Sequence, residues 1–353
     1  MKDLQRGFVC WNTLAPPVYA ASWMTDFSLV EPEDLKALEA KGATGFLPVV
    51  LEAHFSSFDH PLDGDRPVAR HIPGAIQIHP SYLEAGTDES RYYPNYQCPG
   101  DGNVLPPDSL IEALGALGIT PDREVWVYGT EPDGIMAAAR LIWGLMVAGI
   151  KTIRLLDGGL DAWLAFGGPS VSTILRAIDV AKSSEPVSEV VAYWQVRLEF
   201  LATMPEVEMI AESRPGVPAR LVDVRRPGEY DGTETRYYPF FSKAGHIPRA
   251  VLQGNWINLV ERETHKVGPA LADVRQRWIE QGIVDEGVER GDTTLIFYCG
   301  TGWRSSLSFL VATLLGYRAK NFDDGFYGWS WSGDNEVSYC NSETVKMPTR
   351  ASL

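Results

Sequence analysis

Residues 294–315 read TLIFYCGTGWRSSLSFLVATLL and combine three local patterns. The run TLIFY is apolar and rich in residues that favour strands, so it predicts a buried strand. The following SSLSFLVATLLGY (305–317) has apolar residues at helical spacing and predicts a helix. The loop between them begins with Cys299. A cysteine is therefore expected at the carboxyl end of a buried strand and next to a helix N-terminus, where open α/β sheets bind their ligands.

The loop CGTGWR has the composition of an anion-binding turn. Gly300 and Gly302 allow the backbone to curl so that successive N–H groups point inward, and the helix dipole adds to their effect. Such a ring favours the thiolate of Cys299 at neutral pH, and it would also hold a persulfide, which is likewise anionic. The other donors of the loop are one positive charge and two hydroxyl groups, from Arg304, Thr301 and Ser305. A buried structural thiol is the alternative for Cys299, but the glycines and the helix start favour a nucleophile.

The sequence also repeats itself. ARHIPGA (69–75) recurs as AGHIPRA (244–250), EVWVYGT (124–130) as TLIFYCG (294–300), and RLLDGGLDAW (154–163) as NFDDGFYGWS (321–330). The offsets are 175, 170 and 167 residues, in the same order along the chain. Three pairs at nearly one offset indicate a duplicated domain, with small insertions between the pairs.

Strand-length apolar runs alternate with amphipathic stretches in each half. In the second half LVDV (221–224) and AKNFDD (319–324) predict further strands, and residues 269–283 predict a helix. This alternation indicates a mainly parallel sheet covered by helices on both faces. The segment 171–194 contains the turn signal Lys-Ser-Ser-Glu-Pro, and we expect the linker between the halves there.

Charge and composition exclude several classes of protein. The 353 residues are 45% hydrophobic and carry a net charge of -15, which argues against nucleic acid and against an anionic membrane surface as partners. No apolar run is long enough for a membrane span, and prolines interrupt the apolar N-terminus, so we expect no signal peptide. The cysteines are Cys10, Cys98, Cys299 and Cys340. They are too scattered for a disulfide scaffold or a zinc site, which predicts a reduced, cytoplasmic protein.

The loop CGTGWR, together with DVRRPGEYDG (223–232), GHIPRA (245–250) and NFDDGFYGWS, resembles the two-domain rhodanese and 3-mercaptopyruvate sulfurtransferases. The resemblance covers residues 25–335. It implies an α/β fold of two tandem rhodanese-like domains, each a mainly parallel sheet flanked by helices. The implied domains are residues 25–170, catalytically inactive, and residues 195–335, catalytic. No metal and no organic cofactor is implied.

The first half lacks a nucleophile at the matching position. Gly129, in YGTEPDG, stands where Cys299 stands in the second half, and Glu131 and Asp133 add negative charge to the loop. Because an acidic loop would repel a persulfide, we expect this half to be structural and to form one wall of the site.

The resemblance implies a transfer in two steps. Cys299 takes the outer sulfur of a small anionic donor, such as thiosulfate, a polysulfide or 3-mercaptopyruvate, and a thiol, cyanide or another small-molecule acceptor then removes it. Loops of the CGTGWR type occur in thiosulfate-type enzymes and in enzymes that place sulfur on an imidazole carbon in ergothioneine formation. A biosynthetic enzyme of that kind, or a non-catalytic persulfide carrier, therefore stays open. A cysteine-based phosphatase needs a longer loop than the four residues that separate Cys299 from Arg304.

In the two-domain families a pair of arginines after the DVR strand commonly binds the anionic group of the donor. Arg236 matches the second of these arginines, but Glu229 stands at the first. This departure weakens the case for a mercaptopyruvate carboxylate and favours thiosulfate or a polysulfide. Arg225 lies nearby and either contributes to the anion site or forms a salt bridge within its domain.

Mercaptopyruvate enzymes also resemble one another in a Ser–His–Asp relay. Thr301 matches the serine, His71 in the HIPGA motif matches the histidine, and Asp59 or Asp63 could supply the acid. Alternatively, His71 only holds its own turn, which is the role expected for its repeat, His246.

Aromatic side chains near the loop are candidate walls of the pocket. Trp303 is expected to line it, and Tyr298 is expected to flank the nucleophile. A further cluster, which either contacts substrate or belongs to the core, consists of Tyr237, Tyr238, Phe240 and Phe241.

Overall fold

The computed structural model describes residues 25–41, 47–54, 70–86, 100–130, 134–183, 194–214, 218–234, 243–339 and 344–345. The strands of the first half are β1 (Asp26–Val30), β2 (Val49–Ala53), β3 (Ile76–Ile78), β4 (Val125–Gly129), β5 (Thr152–Leu156) and β6 (Leu175–Arg176). Those of the second half are β7 (Ala219–Asp223), β8 (Val251–Leu252), β9 (Thr294–Tyr298), β10 (Ala319–Asn321), β11 (Val337–Ser338) and β12 (Thr344–Val345).

Helices connect these strands. In the first half they are α1 (Pro32–Lys41), α2 (Pro107–Ala116), α3 (Gly134–Val147), α4 (Gly159–Ala165) and α5 (Ala177–Ser183). In the second half they are α6 (Met204–Ala211), α7 (Pro227–Tyr230), α8 (Leu271–Glu280), α9 (Glu286–Glu289), α10 (Trp303–Leu314) and α11 (Gly325–Trp331). Helix α10 begins two residues before the sequence prediction, which places Trp303 and Arg304 in its first turn.

Each half contains one main sheet. Among the described residues, the first sheet has six strands in the order β1-β5-β4-β2-β3-β6, and the second has four in the order β10-β9-β7-β8. The strands pair in parallel throughout both sheets. The central strands β4 and β9 are buried on both faces because helices cover the sheets, as parallel sheets require. The predicted fold class is confirmed.

The duplication is visible in matching contacts as well as in matching letters. The hydroxyl of Tyr128, on β4, accepts a hydrogen bond from the Ile72 amide at 3.2 Å. The hydroxyl of Tyr298, on β9, accepts one from the Ile247 amide at the same distance. In each half a buried tyrosine next to the catalytic position thus holds the first turn after the HIP motif.

The first sheet continues beyond the predicted domain end at residue 170. Strand β6 pairs in parallel with β3, and α5 follows it directly. Both elements lie inside 171–194, where we expected the linker. The sequence did not indicate β6 because it is a short edge strand, whose pairing depends on β3 rather than on any local apolar pattern.

The two halves share one apolar core. Helices α3 and α10, which follow the corresponding loops of the two sheets, pack against each other, and a single cluster of buried side chains includes residues of both. Polar contacts cross the same boundary: the Asp157 carboxylate accepts the amide N–H groups of Val267 and Gly268 at 2.7 and 2.9 Å. The loop after β9 therefore lies against the first half.

Candidate active site

Cys299 follows β9 directly and lies at the carboxyl end of an interior strand, as the sequence predicts. Its side chain is fully buried. The Ser305 hydroxyl, in the first turn of α10, donates to the Cys299 sulfur at 3.6 Å. A hydroxyl donor and a helix N-terminus thus both lie next to this sulfur.

Two carbonyl groups of the loop form hydrogen bonds with the start of α11. The amides of Phe326 and Tyr327, at the start of α11, donate to the carbonyls of Cys299 and Gly300 at 2.8 and 2.9 Å. Gly325 makes this approach possible, because a Cβ there would lie 2.4 Å from the Gly300 carbonyl oxygen.

Two side chains hold the Gly302 carbonyl. It accepts hydrogen bonds from the Ser306 hydroxyl at 2.8 Å and from the side-chain amide of Asn321 at 3.0 Å. Gly302 has a φ of 78°, in the left-handed region that glycine adopts without strain.

This arrangement determines where the loop amides point. In a trans peptide the carbonyl and the following N–H point in opposite directions. Because the carbonyls of Cys299 and Gly300 face α11, the N–H groups of Gly300 and Thr301 face away from it. Within the described part of the chain, neither of these two amides has a hydrogen-bond acceptor. The loop can therefore offer them to an anion, as the sequence predicts.

Trp303 is buried against the first half. Its ring lies 5.4 Å from that of His79, which in turn packs edge-on against His54 at 5.3 Å. Burial, with a smaller contribution from His54, lowers the pKa of His79 to about 3. Trp303 therefore packs on a neutral imidazole at physiological pH, and the first half forms a wall next to the loop.

We expected Arg304 to add a full positive charge to the loop, but a carboxylate balances this charge. Its guanidinium makes a two-point ion pair with Glu229, at 2.8 and 2.9 Å. Although burial alone would raise it, the pKa of Glu229 is lowered by the hydrogen bonds and charge of Arg304. The carboxylate at the position of the first family arginine thus neutralises the loop cation.

Tyr298 belongs to the core rather than to the pocket. Successive side chains of a strand point to opposite faces, so Tyr298 and Cys299 lie in different apolar clusters. Burial and the neighbouring Asp223 charge raise the Tyr298 pKa well above its usual value. This placement contradicts the expectation that Tyr298 forms part of the pocket wall and contributes to the binding of substrate.

His71 is engaged within its own domain. Its Nδ1 lies 2.7 Å from a carboxylate oxygen of Glu52, which also accepts the Tyr128 hydroxyl. Among the described residues no hydrogen bond joins His71 to Thr301, and the candidate acids Asp59 and Asp63 lie outside them, so the relay stays a prediction. His246 bonds through Nδ1 to the Tyr230 carbonyl at 2.8 Å, in the structural role expected for it.

Arg225 resolves one open alternative. It is almost fully buried, and it pairs with Asp223 at 2.6 Å and donates to the Gly245 carbonyl at 2.8 Å. The salt-bridge interpretation is therefore confirmed. Several residues named in the sequence analysis lie outside the described residues: Arg236, Tyr237, Tyr238, Phe240, Phe241, Asp59, Asp63, Glu131, Asp133, Cys10, Cys98 and Cys340.

The corresponding turn of the first half has no space for a nucleophile. A Cβ on Gly129 would lie 2.3 Å from both the carbonyl carbon and the carbonyl oxygen of Gly134, where α3 begins. This close approach gives a steric reason for the glycine, in addition to the acidic residues noted in the sequence.

Arg140 and Asp323 were not among the predicted site residues. They form an ion pair beside Gly302, with an Arg140 terminal nitrogen 2.6 Å from an Asp323 carboxylate oxygen. A charged residue inside the apolar pattern of α3 was the available signal for Arg140. The doubled aspartate of NFDDG, where the first half has LLDGG, was the signal for Asp323.

Known proteins with similar sequences agree with this architecture. A family model described as a rhodanese-like domain matches residues 32–166 and, separately, residues 207–331. Thiosulfate sulfurtransferase YnjE of Escherichia coli (strain K12) is 28% identical over 281 residues, and this chain spans only 55% of its length. A thiosulfate sulfurtransferase of Pseudomonas aeruginosa is 31% identical over 76% of this chain and 85% of its own.

Among solved structures, a variant of EanB in complex with ergothioneine superposes with a TM-score of 0.69 at 25% identity, covering 88% of this chain and 70% of that one. Across the described residues, none of the helices has the length and apolar character to cross a membrane. With one matched domain in each half, the chain belongs to the rhodanese-like domain family and is a sulfurtransferase.

Proposed function

We propose that Cys299 is the nucleophile and carries the transferred sulfur as a persulfide. With thiosulfate as donor, the Cys299 thiolate attacks the outer sulfur, a new S–S bond forms, and sulfite leaves with the electron pair of the broken S–S bond. An acceptor nucleophile then attacks the terminal sulfur, and the Cys299 thiolate is the leaving group. The covalent intermediate divides the transfer into two easier steps.

The orientation of the loop peptides carries this proposal. The carbonyls of Cys299 and Gly300 bond to α11, which leaves the following two amides available to the terminal sulfur of a persulfide. Fixed donors of this kind stabilise charge without reorganising during the reaction. Ser305, through its bond to the sulfur, assists the return of the thiolate as leaving group.

The donor that fits best is thiosulfate or a polysulfide. The carboxylate of 3-mercaptopyruvate lacks the first family arginine, because Glu229 occupies that position. Its enolate leaving group would profit from protonation, but His71 is bonded to Glu52. The acceptor is a thiol, cyanide or another small molecule, and the net charge of -15 disfavours nucleic acid and anionic membranes as partners. Four scattered cysteines suit a cytoplasmic location.

A second candidate is transfer of sulfur to a carbon atom of a small molecule. The likeness to the EanB complex with ergothioneine favours it. The pairing of Arg304 with Glu229 also favours it, because it removes the loop cation that a purely anionic substrate would use.

Intact-mass measurement tests the proposal directly. The protein is exposed separately to thiosulfate, polysulfide and 3-mercaptopyruvate, and a gain of about 32 Da marks one bound sulfur atom. We expect thiosulfate or polysulfide to load the protein and Cys299→Ala to stay unloaded. Loaded protein is then mixed with cyanide, a thiol, or trimethyl histidine, and the products are separated by mass spectrometry. Loading without release to any acceptor would instead identify a carrier, and no loading at all would contradict the proposal.

A further inference from the structure

Arg140 belongs to the first half, on α3, but its guanidinium contacts the loop of the second half. One terminal nitrogen lies 2.6 Å from an Asp323 oxygen and 3.5 Å from the Gly302 carbonyl oxygen. The remaining groups bond within the first half, Nε to Glu84 at 2.7 Å and the other terminal nitrogen to the Gly102 carbonyl at 2.8 Å. Arg140, Glu84 and Asp323 are all almost fully buried, and we call them the interdomain ion network.

The network contacts the catalytic loop at Gly302. A Cβ on Gly302 would lie 2.3 Å from the Asp323 oxygen and 3.1 Å from Arg140. The left-handed turn at Gly302 and the ion pair therefore fit together without space between them. Displacing the ion pair would free this turn to move, and with it the peptide that leads into α10.

Glu84 is the third member of the network. Burial raises its pKa to about 7, and the Arg140 charge and the neighbouring Trp303 side chain oppose this rise. Asp323 is fixed on its other side by the amide of Val104, at 2.7 Å.

The repeat-related boundary contact is built differently. There Asp157, which matches Asp324 in the repeat, accepts two backbone amides of the second half, and the ion pair beside it, Lys266 with Glu31 at 2.7 Å, is partly exposed. At the strand offset of 170 residues, the position that matches Arg140 in α10 is Leu310. The duplication therefore does not require a buried arginine at this boundary, and Arg140 lies where the boundary meets the Cys299 loop.

We propose that Arg140 is a positioning residue, through which the first half holds the Gly302 turn and so keeps the amides around Cys299 directed at the sulfur. This role rests on the proposed function of Cys299. It gives the half without a nucleophile a defined part in catalysis. A buried ion pair is costly to desolvate, so a role in placing the loop accounts for its presence better than stability does.

The test compares two boundary variants. Arg140→Lys keeps the charge but loses the forked contact with Asp323, Gly302 and Glu84. Asp157→Asn weakens the repeat-related boundary contact, in which Asp157 accepts the amides of Val267 and Gly268, and leaves the contacts of the Cys299 loop unchanged. We expect Arg140→Lys to lower kcat for thiosulfate and cyanide about 10- to 100-fold, the scale for misplaced reacting groups. We expect kcat of Asp157→Asn to stay within about twofold of the parent, whatever its loss in Tm.

A second readout does not depend on sulfur transfer. The rate of Cys299 alkylation by iodoacetamide is measured at one fixed pH, and we expect it to change in Arg140→Lys but to stay the same in Asp157→Asn. If the parent protein moved no sulfur, this rate would still report on the loop, so failure of the proposed function is distinguishable. If Arg140→Lys does not fold, the neutral combination Arg140→Gln, Glu84→Gln and Asp323→Asn replaces it. Unchanged kcat and alkylation in the Arg140 variant, or equal losses in both variants, would overturn the proposal.

Discussion

The ends of β4 and β9, at Gly129 and Cys299, match each other in the two halves, yet they differ in the space that they leave for a side chain. After β9 the helix begins at Trp303, and the carbonyls of Cys299 and Gly300 bond to α11. At the end of β4 the backbone of Gly134 approaches Gly129 so closely that a Cβ there would lie 2.3 Å from it. A few backbone positions therefore decide which half can carry the proposed nucleophile.

The largest expected effect comes from removing the nucleophile. Cys299→Ser should lower sulfur transfer at least about a thousandfold, since an alcohol is a poor nucleophile at neutral pH. Steady-state kinetics with thiosulfate and cyanide measure this, and circular dichroism checks the fold. Cys340→Ser is the matched control and should keep its activity. Appreciable turnover by Cys299→Ser would place the chemistry elsewhere.

A cysteine introduced into the first half should not restore it. Gly129→Cys in the Cys299→Ser background places a Cβ against the Gly134 carbonyl, so we expect a loss of about 2–4 kcal/mol in the free energy of unfolding, the usual scale for severe overpacking. We also expect no added mass after thiosulfate treatment. Urea denaturation and intact mass measure the two effects. A gain of one sulfur by this variant would show that the first turn can still open.

Replacing Glu229 should change the net charge next to the Cys299 loop, because Glu229 pairs with Arg304. Glu229→Gln keeps the shape of the side chain but removes the negative charge that faces Arg304. We therefore expect kcat/KM for thiosulfate, a dianion, to rise about tenfold at low salt and less at high salt. Glu234→Gln removes a charge from the same segment and should have little effect. An unchanged or reduced kcat/KM in Glu229→Gln would mean that the ion pair does not limit donor binding.

The smallest effect on turnover is expected at His71. His71→Ala breaks the bond to Glu52 and should cost about 1–3 kcal/mol of stability, the usual scale for an unsatisfied buried partner. Turnover per folded molecule should stay within about twofold for thiosulfate and for 3-mercaptopyruvate. Thermal unfolding and kinetics with both donors decide this. A selective loss of mercaptopyruvate turnover would restore the relay through Thr301.

The fold, and the place of Cys299 at the end of a buried strand, were predictable because their signals are local. Residues 294–315 contain the pattern of a buried strand, then a cysteine, two glycines and the start of a helix. The repeats indicate a second copy of the same architecture. The position of Tyr298 was also within reach, since strand alternation sends neighbours such as Tyr298 and Cys299 to opposite faces. The edge strand β6 was not, because its pairing depends on a distant strand.

The sequence by itself determined the class of the protein, its two halves and the candidate nucleophile, Cys299. Only the tertiary structure decided the electrostatics around that residue. Glu229 meets Arg304 across 75 residues, and Arg140 meets Asp323 across 183. Local periodicity records which side chains are buried, but it does not record which distant charges are buried together. Because a buried charge must find a partner, those partners could be identified only once the folded chain had brought distant segments together.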